Sequence, residues 1–263
     1  MVNPSSSRPM PLDQADGLRR LFAHSQLRFV PVVSNPHVAF GGVLLERLCA
    51  AFGELGRHVL VIDAAENSPA PYEMAMMEMS ECIEPLSPQV SYLAARGLPL
   101  RFVDSTGSTN NFLKAVGEAA PHADVLLVHA SASDLCRLFM HGDDGSRTRP
   151  VILADDRPSS VTHAYAGLKL LAQRAGIVVH DLLLGAAPHS PRAERIAEQL
   201  AACADNFLGA VLRDWVQVDP ATDAREAPTP ALVRWAREAL RSTSGFGMLG
   251  ASPGAEAHRS AAH

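Results

Sequence analysis

Two adjacent glycines, Gly41 and Gly42, follow a short apolar run and precede a helix-like pattern in the stretch SNPHVAFGGVLLERL. A phosphate-binding P-loop, GxxxxGK[ST], has the same position and supplies backbone N–H groups, a lysine and a magnesium-binding hydroxyl. Here Asn35 and Phe40 stand at the two pattern glycines, and Gly41 and Gly42 stand at the lysine and the hydroxyl. Pro36 has no N–H to donate, and Phe40 is bulky where close approach requires glycine. These residues predict no nucleotide binding. The simplest alternative to an altered P-loop is that residues 34–42 form an ordinary strand-to-helix turn.

Two other groups of residues could do chemistry. His129 is followed by Ser131 and Ser133 at the end of an apolar run, which could supply a base and a nucleophile. Adjacent residues at a strand end point in different directions, and the sequence places no acid to orient the histidine, so we predict no catalytic role. The histidine and two aspartates of HGDDGSRTRP, residues 141–150, could suggest a metal, but such a cluster before proline predicts a polar turn.

The composition is that of one large α/β domain. The chain has 263 residues, 47% of them hydrophobic, and a formal net charge of −5, so its overall charge does not suggest nucleic-acid binding. The cysteines lie far apart without a CxxC pair, which predicts buried reduced thiols and a reducing cytoplasm rather than a disulfide framework. They are Cys49, Cys82, Cys136 and Cys203.

Apolar runs alternate with helical patterns along most of the chain. Such runs, without polar alternation, predict a doubly wound, mostly parallel sheet with helices on both faces. The predicted strand regions are 27–33, 58–64, VSYLA, 123–130, 150–155, GIVVHDLLLGAA and VLRDWVQVD, and the apolar run LPLRFVD continues the alternation. The predicted helices are 43–55, 109–119, SDLCRLFMHG, 159–174, 191–208 and 229–241.

The two ends of the chain differ from this α/β domain, residues 27–241. Residues 1–11 are polar and rich in proline and serine, which predicts a disordered arm without signal-peptide order, and residues 242–263 predict a disordered tail. Residues 12–24 predict a separate short helix, capped by Asp13, with Leu18, Leu21 and Phe22 at helical spacing. No apolar run approaches the ~18 residues that a membrane span requires, so we predict a cytoplasmic protein.

Three blocks together give the chain a family resemblance. They are DQADGLRRL, the strand-loop-helix-strand pattern around Gly41, and DRPSSVTHAYAGLKLL. Over residues 12–241 the sequence resembles the FlhG/FleN family, MinD/ParA-like ATPases that control flagellar number. The amino-terminal DQAxGLR motif of that family is matched by Asp13, Gln14, Ala15, Gly17, Leu18 and Arg19.

The resemblance implies a P-loop NTPase fold whose nucleotide site has degenerated. Pro36 takes the place of the signature lysine, Gly41 that of the P-loop lysine and Gly42 that of the magnesium threonine. The other altered positions are Ala65 in the DxD motif, His129 for a strand-end aspartate and Gly185 for an adenine-contacting asparagine. The resemblance thus implies a pseudo-ATPase with no cofactor and no metal, in which Asp63 is a leftover strand-end acid.

The resemblance also implies a partner. In the family the DQAxGLR helix docks on FlhF, a GTPase of the signal-recognition-particle type, and its glutamine helps to complete the hydrolysis site. Gln14 is the residue expected to do so here, because a neutral amide can orient an attacking water. The expected partner-binding residues are Asp13, Gln14, Gly17, Leu18, Arg19, Leu21 and Phe22. From spacing alone, a helix packed on its own domain is the alternative.

The carboxy-terminal pattern ALVRWAREALR has two interpretations. Leu232, Trp235 and Leu240 share one face and Arg237 lies elsewhere, which is the composition of a helix at a membrane interface. A closing helix packed on the sheet has the same pattern. Peripheral contact with the inner membrane therefore stays open. The sequence also leaves open whether the protein forms a homodimer.

These features predict a regulator of flagellum number or placement that works through protein partners. Two alternatives are a residual MinD-like ATPase with a rearranged loop and a MinD-like accessory protein of another envelope machine, such as cellulose secretion. Nucleotide binding distinguishes the regulator from the ATPase.

Overall fold

The computed structural model describes residues 27–71, 78–139 and 149–242. Its strands are β1 (Arg28–Val33), β2 (Val59–Asp63), β3 (Glu84–Ser87), β4 (Val90–Ala94), β5 (Val125–Ala130), β6 (Val151–Asp155), β7 (Val179–Gly185) and β8 (Val211–Val218). Its α-helices are α1 (Gly41–Gly53), α2 (Asn110–Ala119), α3 (Ala132–Phe139), α4 (Pro158–Ala175), α5 (Pro191–Leu208) and α6 (Pro230–Ser242). Two short 3-10 helices are Met79–Cys82 and Pro99–Phe102.

The strands form one eight-stranded sheet in the order β3-β4-β2-β5-β1-β6-β7-β8. Every neighbouring pair is parallel except β3 and β4, which are antiparallel. Helices cover both faces: α1 and α6 pack on one hydrophobic cluster, and α2 to α5 pack on the other. The predicted mostly parallel α/β fold is therefore confirmed, and the carboxyl ends of seven strands meet at one edge.

A proline lies in the central strand β1. Arg28 and Ser34 donate their backbone N–H groups toward β5, so odd-numbered positions, including Pro31, face β6. Pro31 cannot donate to a ladder, and β1 pairs with β6 only at Val32 and Val33. Because β6 begins at Val151, opposite Val32, it extends past the end of β1 and lies beside the loop that follows β1.

Two elements differ from the sequence prediction. The run LPLRFVD contains a single 3-10 turn over Pro99–Phe102, because proline is suited to the first turn of a helix and lacks the N–H that a ladder needs. The sequence does not predict the short edge strand β3, since all four of its residues are exposed and it lacks an apolar pattern. Cys49, Cys82 and Cys136 are buried free thiols as predicted, whereas Cys203 is half-buried.

Several predicted features fall outside the described residues. These are the arm at 1–11, the helix at 12–24 with all its partner-binding residues, the polar turn with His141, Asp143 and Asp144, and the tail after Ser242.

The apolar face of α6 is buried. Leu232 and Trp235 are 1% and 2% exposed, and Leu240 packs against the same cluster, while Arg237 is exposed. The Trp235 indole N–H donates to Asp181 Oδ2 at 2.9 Å, and Arg149 Nε lies 2.6 Å from the same oxygen. This arrangement matches the interpretation of α6 as a closing helix packed on the sheet. Contact of its apolar face with a membrane would require α6 to leave the sheet. No helix among the described residues is long and apolar enough to span a membrane.

Replacing Trp235 by phenylalanine tests how firmly α6 is held. Burial raises the pKa of Asp181 to about 6, although Arg149 and Trp235 oppose the rise, so at about pH 8 the carboxylate is ionised. Trp235→Phe then removes one donor from a buried charge and should lower the free energy of unfolding in urea by about 1–3 kcal/mol. The control, Arg237→Ala on the exposed face, should stay within about 0.5 kcal/mol of wild type. Equal stability of the two variants would contradict a firmly docked helix.

Candidate functional site

The loop between β1 and α1 is fastened to β6 and α4 by one buried side chain. Asn35 is 8% exposed, and its amide nitrogen donates to the carbonyl oxygens of Leu153 and Ser160, both at 2.9 Å, and to Ser160 Oγ at 3.2 Å. Its side-chain oxygen accepts the backbone N–H of His37 at 3.1 Å. The Asn35 amide thus joins the loop to the part of β6 that extends past the end of β1.

A second attachment comes from the carboxylate that ends β6. Asp155 Oδ2 accepts the backbone N–H of Ala39 at 2.9 Å, and the Arg157 guanidinium donates to the same oxygen at 3.0 and 2.9 Å. Burial raises the pKa of Asp155, but Arg157 and the Ala39 N–H outweigh burial and hold it below its ordinary value. Asp155 is therefore an ionised group whose charge is balanced inside the protein.

Together these contacts use the N–H groups of three consecutive loop residues. His37 donates to the Asn35 side chain, Val38 to the Asn35 carbonyl oxygen at 3.1 Å, and Ala39 to Asp155. Pro36 has none to offer. In a P-loop, backbone N–H groups of this kind surround a phosphate.

The structure brings most of the sequence-predicted site residues together. A cavity of about 300 Å³ is lined by Pro36, Gly41, Gly42, Asp63, Ala65 and His129. Phe40, which is 56% exposed, and Gly185 lie on the other side of the loop, in a cavity of about 230 Å³ that Asp155 also lines. A Cβ atom on Gly41 or Gly42 would meet nothing within 4 Å, so neither glycine is required by crowding.

Asp63 and His129 form a close pair, which corrects two sequence-based expectations. The parallel register of β2 and β5 places these residues side by side, and His129 Nδ1 lies 2.8 Å from Asp63 Oδ1. An acid does therefore orient the histidine, and Asp63 is not merely a leftover strand-end acid. The Ser68 hydroxyl also donates to Oδ1, and the Tyr92 hydroxyl donates to Oδ2 at 3.0 Å.

These donors determine the charge state of Asp63. Burial raises its pKa, but the hydrogen bonds from His129, Ser68 and Tyr92 outweigh burial, and the pKa lies below its ordinary value. Burial and the neighbouring Asp63 carboxylate raise the pKa of Tyr92, which keeps its hydroxyl protonated as a donor. Both oxygens of the carboxylate therefore already have partners within the protein.

The serines after His129 serve the start of α3. Ser131 Oγ accepts the backbone N–H of Asp134 at 3.2 Å and donates to Asp134 Oδ2 at 2.8 Å. Ser133 Oγ lies 2.8 Å from Ser131 Oγ. These are helix-capping contacts. The Ser131 hydroxyl is therefore engaged at the amino-terminal end of α3.

Four residues of this site were missed by sequence reasoning: Ser68, Tyr92, Asp155 and Ser160. Asp155 carries a usable signal, because it ends the strand that neighbours β1 and carboxyl ends of parallel strands meet at one edge. For Tyr92 the signal is absent, since it lies in mid-strand and reaches Asp63 only through the pairing of β2 with β4.

Comparison with known proteins supports the fold. The sequence matches no protein-family model and no curated protein. Solved structures do match: MinD of Aquifex aeolicus, a cell division protein, has 14% identity and a TM-score of 0.53, covering 80% of this chain and 95% of that one. Cobyrinic acid a,c-diamide synthase of Mycobacterium smegmatis with bound ADP and magnesium has 14% identity and a TM-score of 0.55, covering 84% and 99%. McdA of Cyanthece, without ligand, has 13% identity and a TM-score of 0.54, covering 81% and 99%. The chain therefore has the fold of MinD/ParA-type P-loop ATPases.

Removal of the Asn35 side chain tests whether it holds the loop. Asn35→Ala leaves the Leu153 carbonyl oxygen and the His37 N–H without their buried partner, and should lower the free energy of unfolding by about 2–3 kcal/mol. Asn67→Ala, at an exposed position lining the same cavity, should change it by less than about 0.5 kcal/mol. Urea unfolding of both variants measures the difference, and an Asn35 variant as stable as the Asn67 variant would contradict this role.

Proposed function

We propose that the protein is a MinD/ParA-fold regulator that acts through protein partners and neither binds nor hydrolyses ATP. The observation that carries the proposal is the use of the loop N–H groups. His37, Val38 and Ala39 donate to Asn35 and Asp155, so a phosphate would have to displace internal hydrogen bonds to gain these donors. It would also have to approach the ionised Asp155.

The side chains around the loop support the same proposal. Gly41 and Gly42 supply neither an ammonium group nor a hydroxyl. Asp63, the carboxylate that remains of the family's DxD motif, is hydrogen-bonded to His129, Ser68 and Tyr92. A magnesium ion would have to compete with these donors for both carboxylate oxygens of Asp63.

The process that we propose is the control of flagellum number or placement, through an FlhF-type GTPase. Its support is the resemblance of residues 13–19 to the DQAxGLR motif and of DRPSSVTHAYAGLKLL to a second family block. Gln14 would supply the amide that orients the attacking water in the partner, and Leu18, Leu21 and Phe22 would supply the apolar contact. We propose a cytoplasmic location, with membrane contact only if α6 leaves the sheet.

Calorimetry with ATP and magnesium tests the loss of nucleotide binding. The wild-type protein should give no binding heat at millimolar nucleotide. Gly41→Lys should behave in the same way, although the new side chain meets no obstacle at its Cβ, because the loop N–H groups stay bonded to Asn35 and Asp155. Binding at micromolar affinity by the wild-type protein would instead support a residual ATPase.

The partner is tested with a peptide that covers residues 11–26. It should raise the rate of GTP hydrolysis by an FlhF-type GTPase. Gln14→Ala should lower the maximal stimulated rate, because a group needed in the transition state is lost. Leu18→Ala should instead raise the peptide concentration for half-stimulation, because it weakens docking.

Gln14→Ala is also made in the full chain, where it should leave the urea unfolding curve unchanged. Full stimulation by the Gln14→Ala peptide, or no stimulation by the wild-type peptide, would refute the GTPase role.

A further inference from the structure

An open groove lies on the sheet face that carries α1 and α6. It runs between α1 and the β3–β4 hairpin and has a volume of about 930 Å³, roughly three times that of the loop cavity. Its lining includes the apolar side chains of Leu45, Cys49, Val61, Leu86 and Val90. Leu86 is 61% exposed, so part of this apolar surface faces solvent in the described part of the chain.

The groove has an acidic border. Glu46 and Glu54 on α1 and Glu226 in the loop before α6 are exposed along it, and among the described residues Arg225 is the one basic residue that lines it. The other titratable groups that face it are Asp63, Tyr92 and Cys49, and Asp63 is hydrogen-bonded to Tyr92 and His129. The groove therefore fits an occupant with an apolar face and positive charge.

We propose that the occupant is the amino-terminal segment of this same chain, residues 12–24. Its sequence places Leu18, Leu21 and Phe22 at helical spacing and puts two cations, Arg19 and Arg20, among them. In this arrangement the apolar side chains contact the floor of the groove and the arginines face its glutamates. An amphipathic helix in an apolar groove is a common mode of peptide recognition.

The position where the described chain begins makes this contact reachable. Arg28 is in register with Val125, Val125 with Val59, and Val59 with Val90 at the groove, so three strand spacings separate Arg28 from Val90. At 4.7–4.9 Å each, the distance is about 14 Å. Four extended residue steps from Arg28 back to His24 and two helical steps on to Phe22 span about 16 Å, which exceeds this distance. The segment can therefore enter the groove without moving β1.

The carboxy-terminal residues are less suited to the groove. The helix α6 is held on the sheet through the hydrogen bond from Trp235 to Asp181 on β7 and does not occupy the groove. After Ser242 the sequence has one acidic residue, Glu256, and one basic residue, Arg259, so this part of the chain has no net positive charge to match the acidic border.

Docking of residues 12–24 in the groove would cover the apolar side chains that the segment would otherwise offer to a partner. Leu18, Leu21 and Phe22 would contact the groove and a partner in turn, so the protein would offer them only when the segment leaves the groove. This inference goes beyond the proposed function, because its test requires neither a GTPase nor a nucleotide.

The test is hydrogen–deuterium exchange of the full chain, followed by mass spectrometry. In a Leu21→Glu/Phe22→Glu variant, peptides from β3, β4 and the groove side of α1 should exchange about tenfold faster than in wild type. Peptides from β7 and β8 should not change. The control, Ser5→Glu/Ser6→Glu, adds the same charge outside the apolar positions and should match wild type. From the groove side, Leu86→Glu should speed exchange in residues 12–24, whereas Phe207→Glu, at a 74% exposed position elsewhere, should not.

Three results would overturn the proposal. Unchanged exchange of the groove peptides in the Leu21/Phe22 variant would mean that the segment lies elsewhere. Faster exchange throughout the sheet would mean that these side chains belong to the main core. Protection that increases with protein concentration would mean that the occupant comes from a second copy.

Discussion

The tie between the loop after β1 and the strand β6 is the contact on which the rest of this site depends. The strands β1 and β6 pair only at Val32 and Val33, and side chains add further contacts between the loop and β6 beyond the end of β1. Asn35 reaches Leu153 and Ser160, and Asp155 reaches Ala39. A buried amide is costly to leave without partners, and Asn35 keeps its partners on β6 and α4 only while the loop stays in this conformation. Asp155 adds the bond from Ala39 to those that it receives from Arg157. The loop conformation and the loss of its donors are therefore two results of the same contacts.

The two aspartates at this edge of the sheet also have their partners within the protein. In an active nucleotide site, strand-end carboxylates and loop N–H groups are held ready for a metal and a phosphate. Here Asp155 is balanced by Arg157, and Asp63 by hydrogen bonds from His129, Ser68 and Tyr92. These internal partners account for the lowered pKa values of both aspartates. In this fold the strand-end carboxylates and the loop N–H groups of His37, Val38 and Ala39 are thus satisfied by contacts among the protein's own residues.

The sequence predicts the helices and nearly all the strands because their apolar runs are long and buried. It does not predict β3, whose exposed residues carry no pattern, and it cannot predict contacts that depend on strand register. Asp63 and His129 are 66 residues apart, and only the pairing of β2 with β5 brings them together. The sequence shows that the phosphate-binding residues are missing at Pro36, Gly41 and Gly42. It does not show that Asp155 accepts the Ala39 N–H or that Asn35 donates to Leu153, because these contacts join residues 116 and 118 positions apart.

The central claim is that the loop N–H groups are committed to internal partners, and backbone amide NMR of the full-length protein tests it directly. The amide signals of His37, Val38 and Ala39 should be protected from hydrogen exchange and should keep their chemical shifts when ATP and magnesium are added to millimolar concentration. Saturable shifts of these three signals with added nucleotide would contradict the account, because they would show that the loop can release its donors to a phosphate.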